Sequence, residues 1–350
     1  MKLWKTISAP GVKAALTAAL LFGAATPLAK SLLEGNSPWM IAAFLYIGSG
    51  VGLFIYRKSV GAKKVSLPRN EIGWLAGAIV FGGVIAPVLL MMGLTAAPAS
   101  TASLLLNAEG VFTALLAWFA FKENFDRRIA LGMVAIVIGA VVLSVPPELD
   151  KVQLWPALAI LAACFSWGVD NNLTRKVSST DGSWVASMKG IFAGLTNLTL
   201  AVAVGAHLPS PSVLAGTMLL GFLSYGVSLT LFVVALRHLG TARTGAYFSA
   251  APFLGAVLAL ANGEPLTSQL VIASALMTVG IYLHLTERHV HEHIHEEMEH
   301  EHEHTHDDQH HLHGHEEAVA PGVKHTHRHR HSRLTHTHDH FPDTHHRHQH

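Results

Sequence analysis

Cysteine is almost missing from this 350-residue chain: Cys164 stands alone, so no disulfide scaffold can form within it. Charge is scarce as well over most of its length. Residues 1–287 hold 18 basic and 11 acidic side chains, too few to clothe a soluble domain of that size. A soluble two-domain enzyme is thereby excluded. No nucleophile–base set and no glycine-rich phosphate loop is present. There is no strand-and-turn alternation of an outer-membrane barrel, and no basic cluster with interleaved aromatics to suggest nucleic acid. The near-zero net charge excludes nothing, because residues 288–350 hold 6 basic and 12 acidic residues and offset the first part. Those last residues also carry 23 of the 26 histidines, too polar a composition to bury a core. The chain is two materials joined after Glu287.

What is present in quantity is apolar sequence in long runs. A bilayer core of ~30 Å takes about 20 apolar helical residues. Ten stretches fit, numbered here as segments 1 to 10: Val12–Leu33, Trp39–Tyr56, Ile72–Leu94, Ala99–Phe121, Ile129–Val145, Leu154–Thr174, Ser183–Gly205, Val213–Leu236, Thr241–Ala261 and Thr267–Thr286. Turn and breaker signals separate them at Gly35-Asn36, Pro146-Pro147, Pro209/Pro211 and Gly263. Trp39, Trp74, Trp155 and Trp184 fall at segment starts, where an amphipathic ring suits the membrane interface. The expected fold class is an all-α polytopic membrane protein of ten transmembrane helices.

Orientation follows from lysine and arginine. With the N-terminus inside, the cytoplasmic connections carry Lys2, Lys5, Lys13, Arg57, Lys58, Lys63, Lys64, Arg69, Lys122, Arg127, Arg128, Arg175, Lys176, Arg237 and Arg243, against Lys30 and Lys151 opposite. That bias places both termini in the cytoplasm of a bacterial inner membrane. The run Ala14–Gly23 with Ala24-Ala25 resembles a signal peptide, but its full spanning length favours an uncleaved first helix.

Two stretches resemble each other: residues 94–123, LTAAPASTASLLLNAEGVFTALLAWFAFKE, and residues 236–264, LRHLGTARTGAYFSAAPFLGAVLALANGE. Leu94 aligns with Leu236, Ala108 with Ala250, Gly110 with Pro252, Glu123 with Glu264 and, one segment on, Gly139 with Gly280. Two repeats of five segments, an odd number, must insert in opposite directions. This is the 5+5 inverted-repeat plan of secondary transporters, with substrate near the midplane. The repeats divide as residues 1–145 and 146–287, followed by the His-rich part, 288–350. The stretch ASLLLNAEGVFTALLAWFAFKE resembles the fourth-span signature of the drug/metabolite transporter superfamily, EamA branch, with GAYFSAAPFLGAVLALANGEPLT as its second-half partner. The resemblance covers residues ~12–286 and implies a permease working by alternating access. Gly110 stands where that family usually has proline, and Lys122 where glycine usually precedes the acid.

A charge inside a membrane span is costly and marks a functional candidate. Glu109 lies ~17 Å along segment 4 at 1.5 Å per residue, near mid-depth. Desolvation favours the neutral form of a buried carboxyl, which suits alternation between a proton and a cation. Asn107, two residues away, belongs to a different helix face. Asp170 and Lys189 match in depth at the ends of segments 6 and 7, which suits a structural ion pair. Alternatively Asp170, with Asn171, forms an inner gate. The expected transport path is therefore Glu109, Asn107, Asp170, Asn171 and Lys189. Asn197 and His284 are singletons. Glu123 and Glu264 read as helix-start caps, and Met91-Met92 and Cys164 as core filling. Pro27, Pro87 and Pro252 would break helices and free carbonyls.

The terminal part repeats histidine at every second residue. The sets are His289, His291, His293 and His295; His300, His302, His304 and His306; His325, His327, His329 and His331; and His336, His338 and His340; His310, His311, His313 and His315 add another. Neutral imidazole is the commonest side-chain metal ligand. Alternate residues share one side of an extended chain, and i, i+4 pairs converge on a helix. With no thiolate the ligands suit Ni2+, Co2+, Zn2+ or Cu2+ over Cu+. Zinc-finger spacing is absent, so the expectation is a disordered tether with labile Ni2+, Co2+ or Zn2+ and no tightly bound cofactor. A pH sensor is the other reading.

Together these features suggest that cytoplasmic ligands collect divalent cations for a neighbouring permease, favouring efflux by cation/proton antiport. The combination is similar to His-tailed nickel/cobalt resistance permeases, which implies Ni2+ with Co2+ as a second ion. The competing expectation is an exporter of amino acids or other small metabolites whose tail only regulates. Membrane lipid and divalent metal ions are the expected partners, nucleic acid is not, and a homodimer stays open.

Overall fold

The structure, a computed structural model, describes residues 10–121, 127–144, 154–177, 180–239, 244 and 247–285. In the terminal part it describes residues 289–295, 298–304, 325–331 and 334–340. Lys2, Lys5, Lys122, Glu123, Lys151, Arg243, the Pro146-Pro147 turn and His306, His310, His311, His313 and His315 lie outside the described residues. The chain divides into two compact units, Met1–Glu287 and Arg288–His350.

The first unit is helical, and each of the ten segments contains a helix. Among the described residues, six helices are long and apolar enough to cross a membrane: Gly11–Leu32, Pro38–Ser59, Ile72–Ala96, Ala99–Phe119, Gly182–Ala203 and Pro211–Ala235. Ala130–Ser144, Ala251–Ala261 and Ser268–Leu283 are shorter apolar helices, and Trp155–Thr174 ends in the polar run Asp170-Asn171-Asn172. Ten equal crossings are therefore not what length and composition single out. The unit is nonetheless a multi-pass membrane structure. Many large apolar side chains are exposed along its helices, among them Leu131, Val134, Val141, Val271, Val279 and Tyr282, as lipid contact requires.

Several segments are broken rather than straight, and the prolines mark some of the places. Segment 1 divides into Pro10–Gly23 and Ala25–Leu32, with Pro27 in the first turn of the second piece. Segment 3 runs as α-helix Ile72–Ala78, π-helix Ile79–Ile85 and α-helix Ala86–Ala96, with Pro87 in the opening turn of the last piece. Proline 87 has no N–H to return to the carbonyl of Gly83, four residues back. Segment 8 repeats the design with a second π-helix, Phe222–Val227, between Pro211–Gly221 and Ser228–Leu239. Segment 4 breaks at Leu106-Asn107, between Ala99–Leu105 and Ala108–Phe121. In segment 9 the helix Ala251–Ala261 begins with Pro252 in its first turn.

The packing carries a twofold relation between halves. Segments 2 and 7, 5 and 10, and 4 and 9 pack on one another; segment 3 packs on 6 as segment 8 does on 1, and 4 on 6 as 9 on 1. The pairing of 5 with 10 is reciprocal at residue level. A Cβ on Gly139 would lie 2.9 Å from Met277 Cγ, and one on Gly280 would lie 2.7 Å from Ile136 Cγ1. Only glycine permits so close a crossing.

In the second unit, β1 (His289–His295) pairs antiparallel with β4 (Leu334–His340), and β2 (Met298–His304) with β3 (His325–His331). Strict alternation has a period of two, which is the period of a strand, and composition alone does not register it.

Candidate functional site

The polar groups of the helical unit gather where the π-helix of segment 3 faces segments 2, 6 and 7. The widened turn frees two consecutive carbonyls. Gly82 accepts from Tyr46 Oη at 2.6 Å and from Trp167 Nε1 at 3.0 Å. Gly83, deprived of a partner by Pro87, accepts from Asn197 Nδ2 at 2.8 Å. Asn197 is fully buried, and its Oδ1 finds no partner. A Cβ on Gly82 would occupy the space of the Asp170 carboxylate, so glycine here is what lets segment 6 bring its acid against segment 3.

Asp170 is tied down. Lys189 Nζ reaches both its oxygens at 2.6 Å, and Thr174 Oγ1 donates to Oδ1 at 2.8 Å. Both charged side chains are largely buried, at 17% and 8% exposure for lysine and aspartate. In so dry a place each charge depends on the other.

Glu109 is held differently. It occupies the first turn of Ala108–Phe121, where the helix dipole favours an acid. Its Oε1 accepts from Asn171 Nδ2 at 2.8 Å, and the same amide donates to Thr113 Oγ1 at 3.1 Å. Asn172 Nδ2 donates to the carbonyls of Thr113 and Gly168, pinning segment 6 to segment 4 beside the acid. Glu109 is partly exposed and Asn171 exposed, so the pair borders open space. Asp170 and Lys189 both lie within electrostatic reach of Glu109. Aromatic rings continue from this cluster: Tyr46 to Tyr225 at 5.6 Å between centroids, Tyr225 to Phe22 at 5.8 Å, and Phe22 to Phe248 at 5.4 Å.

Of the expected path residues, Glu109, Asp170, Asn171 and Lys189 are brought together, and Asn107 is not. The Asn107 amide is buried and donates to Leu104 O at 2.9 Å and Met277 Sδ at 3.5 Å, towards segment 10. Cys164 is buried against Leu105 O. Tyr46, Trp167, Thr113 and Thr174 were missed, because hydroxyls and indoles in apolar runs look like ordinary filling. One signal was available: a proline inside segment 3 orphans a carbonyl, and an orphan needs a donor such as Asn197.

Each end of the bundle carries a polar fastening between the halves. At one end Arg57 pairs with Asp181 at 2.7 Å, also contacts Ser183 Oγ, and donates to Lys63 O at 3.1 Å. Asp181 caps Gly182–Ala203 by accepting from the N–H groups of Ser183 and Trp184. Partial burial works against its charge, but the bonds from Arg57 and Ser183 outweigh this and draw its pKa from 3.8 to about 2. At the other end Lys30 Nζ donates to Leu94 O, Thr95 O and Ala97 O at 2.6, 3.2 and 3.0 Å. Glu264 accepts from the N–H groups of Ala99 and Ser100 at 2.6 and 2.9 Å. Glu264 therefore caps a helix of the other half, not its own. A recess of ≈ 430 Å³ lined by Ile72, Leu75, Ile79, Trp184, Met188 and Phe192 is apolar throughout and offers no such chemistry.

The division into two halves agrees with a known family profile, which aligns twice with this chain, over residues 9–145 and 154–286. The chain belongs to the EamA-like transporter family. It is a transporter, not an enzyme. An uncharacterized transporter of Methanothermobacter thermautotrophicus is 28% identical over 301 residues, covering 81% of this chain and 86% of that protein. A probable amino-acid metabolite efflux pump of Salmonella typhimurium is 34% identical over 82 residues, 23% of this chain and 27% of that one. A solved crystal structure shares the transporter's fold with TM-score 0.56 at 21% identity, over 78% of this chain and 95% of the other.

Proposed function

We propose that this transporter exports small amine-bearing organic solutes of the amino-acid class in exchange for protons. One observation carries the reading: the two interior carboxylates are in different states. Asp170 is already paired with Lys189, whereas Glu109 is held by a neutral amide and can give up a proton to take a cationic ligand. A single negative charge matches an ammonium group. The Lys189–Asp170 dipole within reach offers a handle for a carboxylate end, and the rings of Tyr46, Tyr225 and Phe22 suit an apolar body or a cation. The resemblance to a probable amino-acid metabolite efflux pump points the same way.

The divalent-metal export expected from the histidine tail finds no such support. A divalent ion wants several anionic or imidazole ligands. Among the described residues no group of three or more His, Cys, Asp or Glu side chains comes together. Ten crossings arranged as residues 1–145 and 146–287, with both termini in the cytoplasm of a bacterial inner membrane, complete the proposal. The lysine and arginine bias supports that orientation.

The test is transport in proteoliposomes holding purified full-length protein, with an amino-acid panel, Ni2+ and Co2+, with and without a pH gradient. Gradient-driven movement of an amine-bearing solute is expected. It should vanish in Glu109→Gln while the variant still reconstitutes. Movement of Ni2+ or Co2+ with no organic solute moved sinks the reading.

A further inference from the structure

The apolar recess between segments 3 and 7 has a charged rim. Leu67, from the connection 60–71, packs with Ile79 and Trp184 on the buried side chains of Leu75, Val177 and Val185. The backbone of the connection is fastened too. Lys63 O accepts from Arg57, whose other partners, Asp181 and Ser183, stand just before Trp184 in the chain. The connection therefore runs along one end of the recess, anchored through Leu67 and through Lys63. Lys58, Lys63, Lys64 and Arg69 flank that anchor, and their side chains are exposed. Glu71 is the one acid in residues 60–71, and its Oε2 is shielded from solvent. Nearby, Lys176 Nζ stands over the ring of Trp74, 5.9 Å from its centroid.

Below the rim the recess is hydrocarbon. It measures ≈ 430 Å³ and is walled by Ile72, Ala76 and Ile79 of segment 3 and by Trp184, Met188 and Phe192 of segment 7. From Trp184 to Phe192 runs unbroken helix, ~12 Å of depth at 1.5 Å per residue. Ile72, Ala76 and Phe192 are exposed, so the recess opens sideways, where lipid lies. Trp74 and Trp184 mark its mouth, and indole rings settle at the level between headgroup and chain. An apolar flank alone takes any lipid. A cationic rim above a cleft of this depth selects on headgroup charge, because lysine and arginine beside a membrane attract anionic lipid. We propose that this recess binds an anionic phospholipid, with one acyl chain against Ala76, Met188 and Phe192 and the phosphate at Lys63, Lys64 and Arg69. Bound there, the lipid bridges segments 3 and 7 at the start of the π-helix Ile79–Ile85, the stretch that carries Gly82 and Gly83.

The probe is lipid brominated along its acyl chains, which quenches tryptophan emission on contact. Full-length protein is reconstituted in phosphatidylcholine vesicles with increasing fractions of brominated phosphatidylglycerol or, in parallel, brominated phosphatidylcholine. The parent is expected to favour the anionic lipid about tenfold, and the preference should weaken at high salt. Two variants divide the site between its parts. K63Q/K64Q/R69Q should level the two lipids by removing the rim. Ala76→Phe, which fills the cleft and leaves every charge in place, should lose the selective quenching as well. Trp184→Phe should remove most of the selective signal and so locate it. Equal quenching of the parent by both lipids overturns the proposal. So does a preference that survives K63Q/K64Q/R69Q or Ala76→Phe, or a selective signal unchanged in Trp184→Phe. Solute transport enters none of these measurements, so failure here leaves the reading of Glu109 untouched.

Discussion

Lys189 and Asp170 show how one side chain can hold a segment in place. Each is buried and each is the other's counter-ion, so Lys189→Met strands a carboxylate in an apolar setting. A loss of about 3–5 kcal/mol is expected, read as a lowered thermal midpoint of the purified protein. The double variant Asp170→Asn/Lys189→Met should recover most of it; if it is as unstable as the single one, the pair is not what holds segments 6 and 7 together. These two charges and Glu109 were legible in the sequence because any charge in an apolar run is conspicuous. Asn107 was conspicuous for the same reason, yet it turns to Met277 and away from the acid. Polarity alone does not say which face of a helix meets the path.

At the scale of a helix, the ends and interruptions matter more than the middles. Asp181 caps segment 7 and pairs with Arg57, and its carboxyl titrates at about 2 instead of 3.8. A depressed folded value means that the pairing stabilises fully above 3.8 and is lost only as pH falls through about 2. The difference in thermal midpoint between parent and Asp181→Asn should therefore stay constant across the neutral range and shrink only in strong acid. A difference that fades between pH 8 and 6, above both of those values, contradicts this account. Helix existence was readable from apolar length, and Pro27, Pro87 and Pro252 foretold interruptions. The π-helices were not readable. Segment 8 widens at Phe222–Val227 with no proline inside that stretch, and a single extra residue per turn leaves hydropathy unchanged. The break at Leu106-Asn107 was likewise hidden, although it is what starts a new helix at Ala108 and puts Glu109 in its first turn.

Across the whole helical unit, a faint likeness between two stretches translated into paired packing. The alignment of Gly139 with Gly280 followed from carrying the two similar stretches one segment further, and in three dimensions the two glycines meet reciprocal partners across segments 5 and 10. Gly280→Leu would drive a side chain into Gly132 O and Ile136. It should cost about 1–3 kcal/mol through overpacking, measured by thermal unfolding in detergent. Gly110→Leu, where nothing lies within 4 Å, should cost far less and serves as the control. The substrate was not legible at this scale. The histidines dominated the composition and pointed to metal cargo, whereas the interior carboxylates became informative only once their partners were known.

The fastening at Lys30 and Glu264 constrains how such a molecule can move. Between them they quench the carbonyls leaving segment 3 and the amides entering segment 4, from two other segments at once. Pulling that elbow apart would strip these carbonyls of their ammonium donor and these N–H groups of their carboxylate acceptor, a cost of about 1–3 kcal/mol for each group left unpaired. The elbow should thus ride as a solid block through the transport cycle, and flexing is left to the loosened turns around Gly82 and Tyr225, where the backbone has already given up its regular bonding.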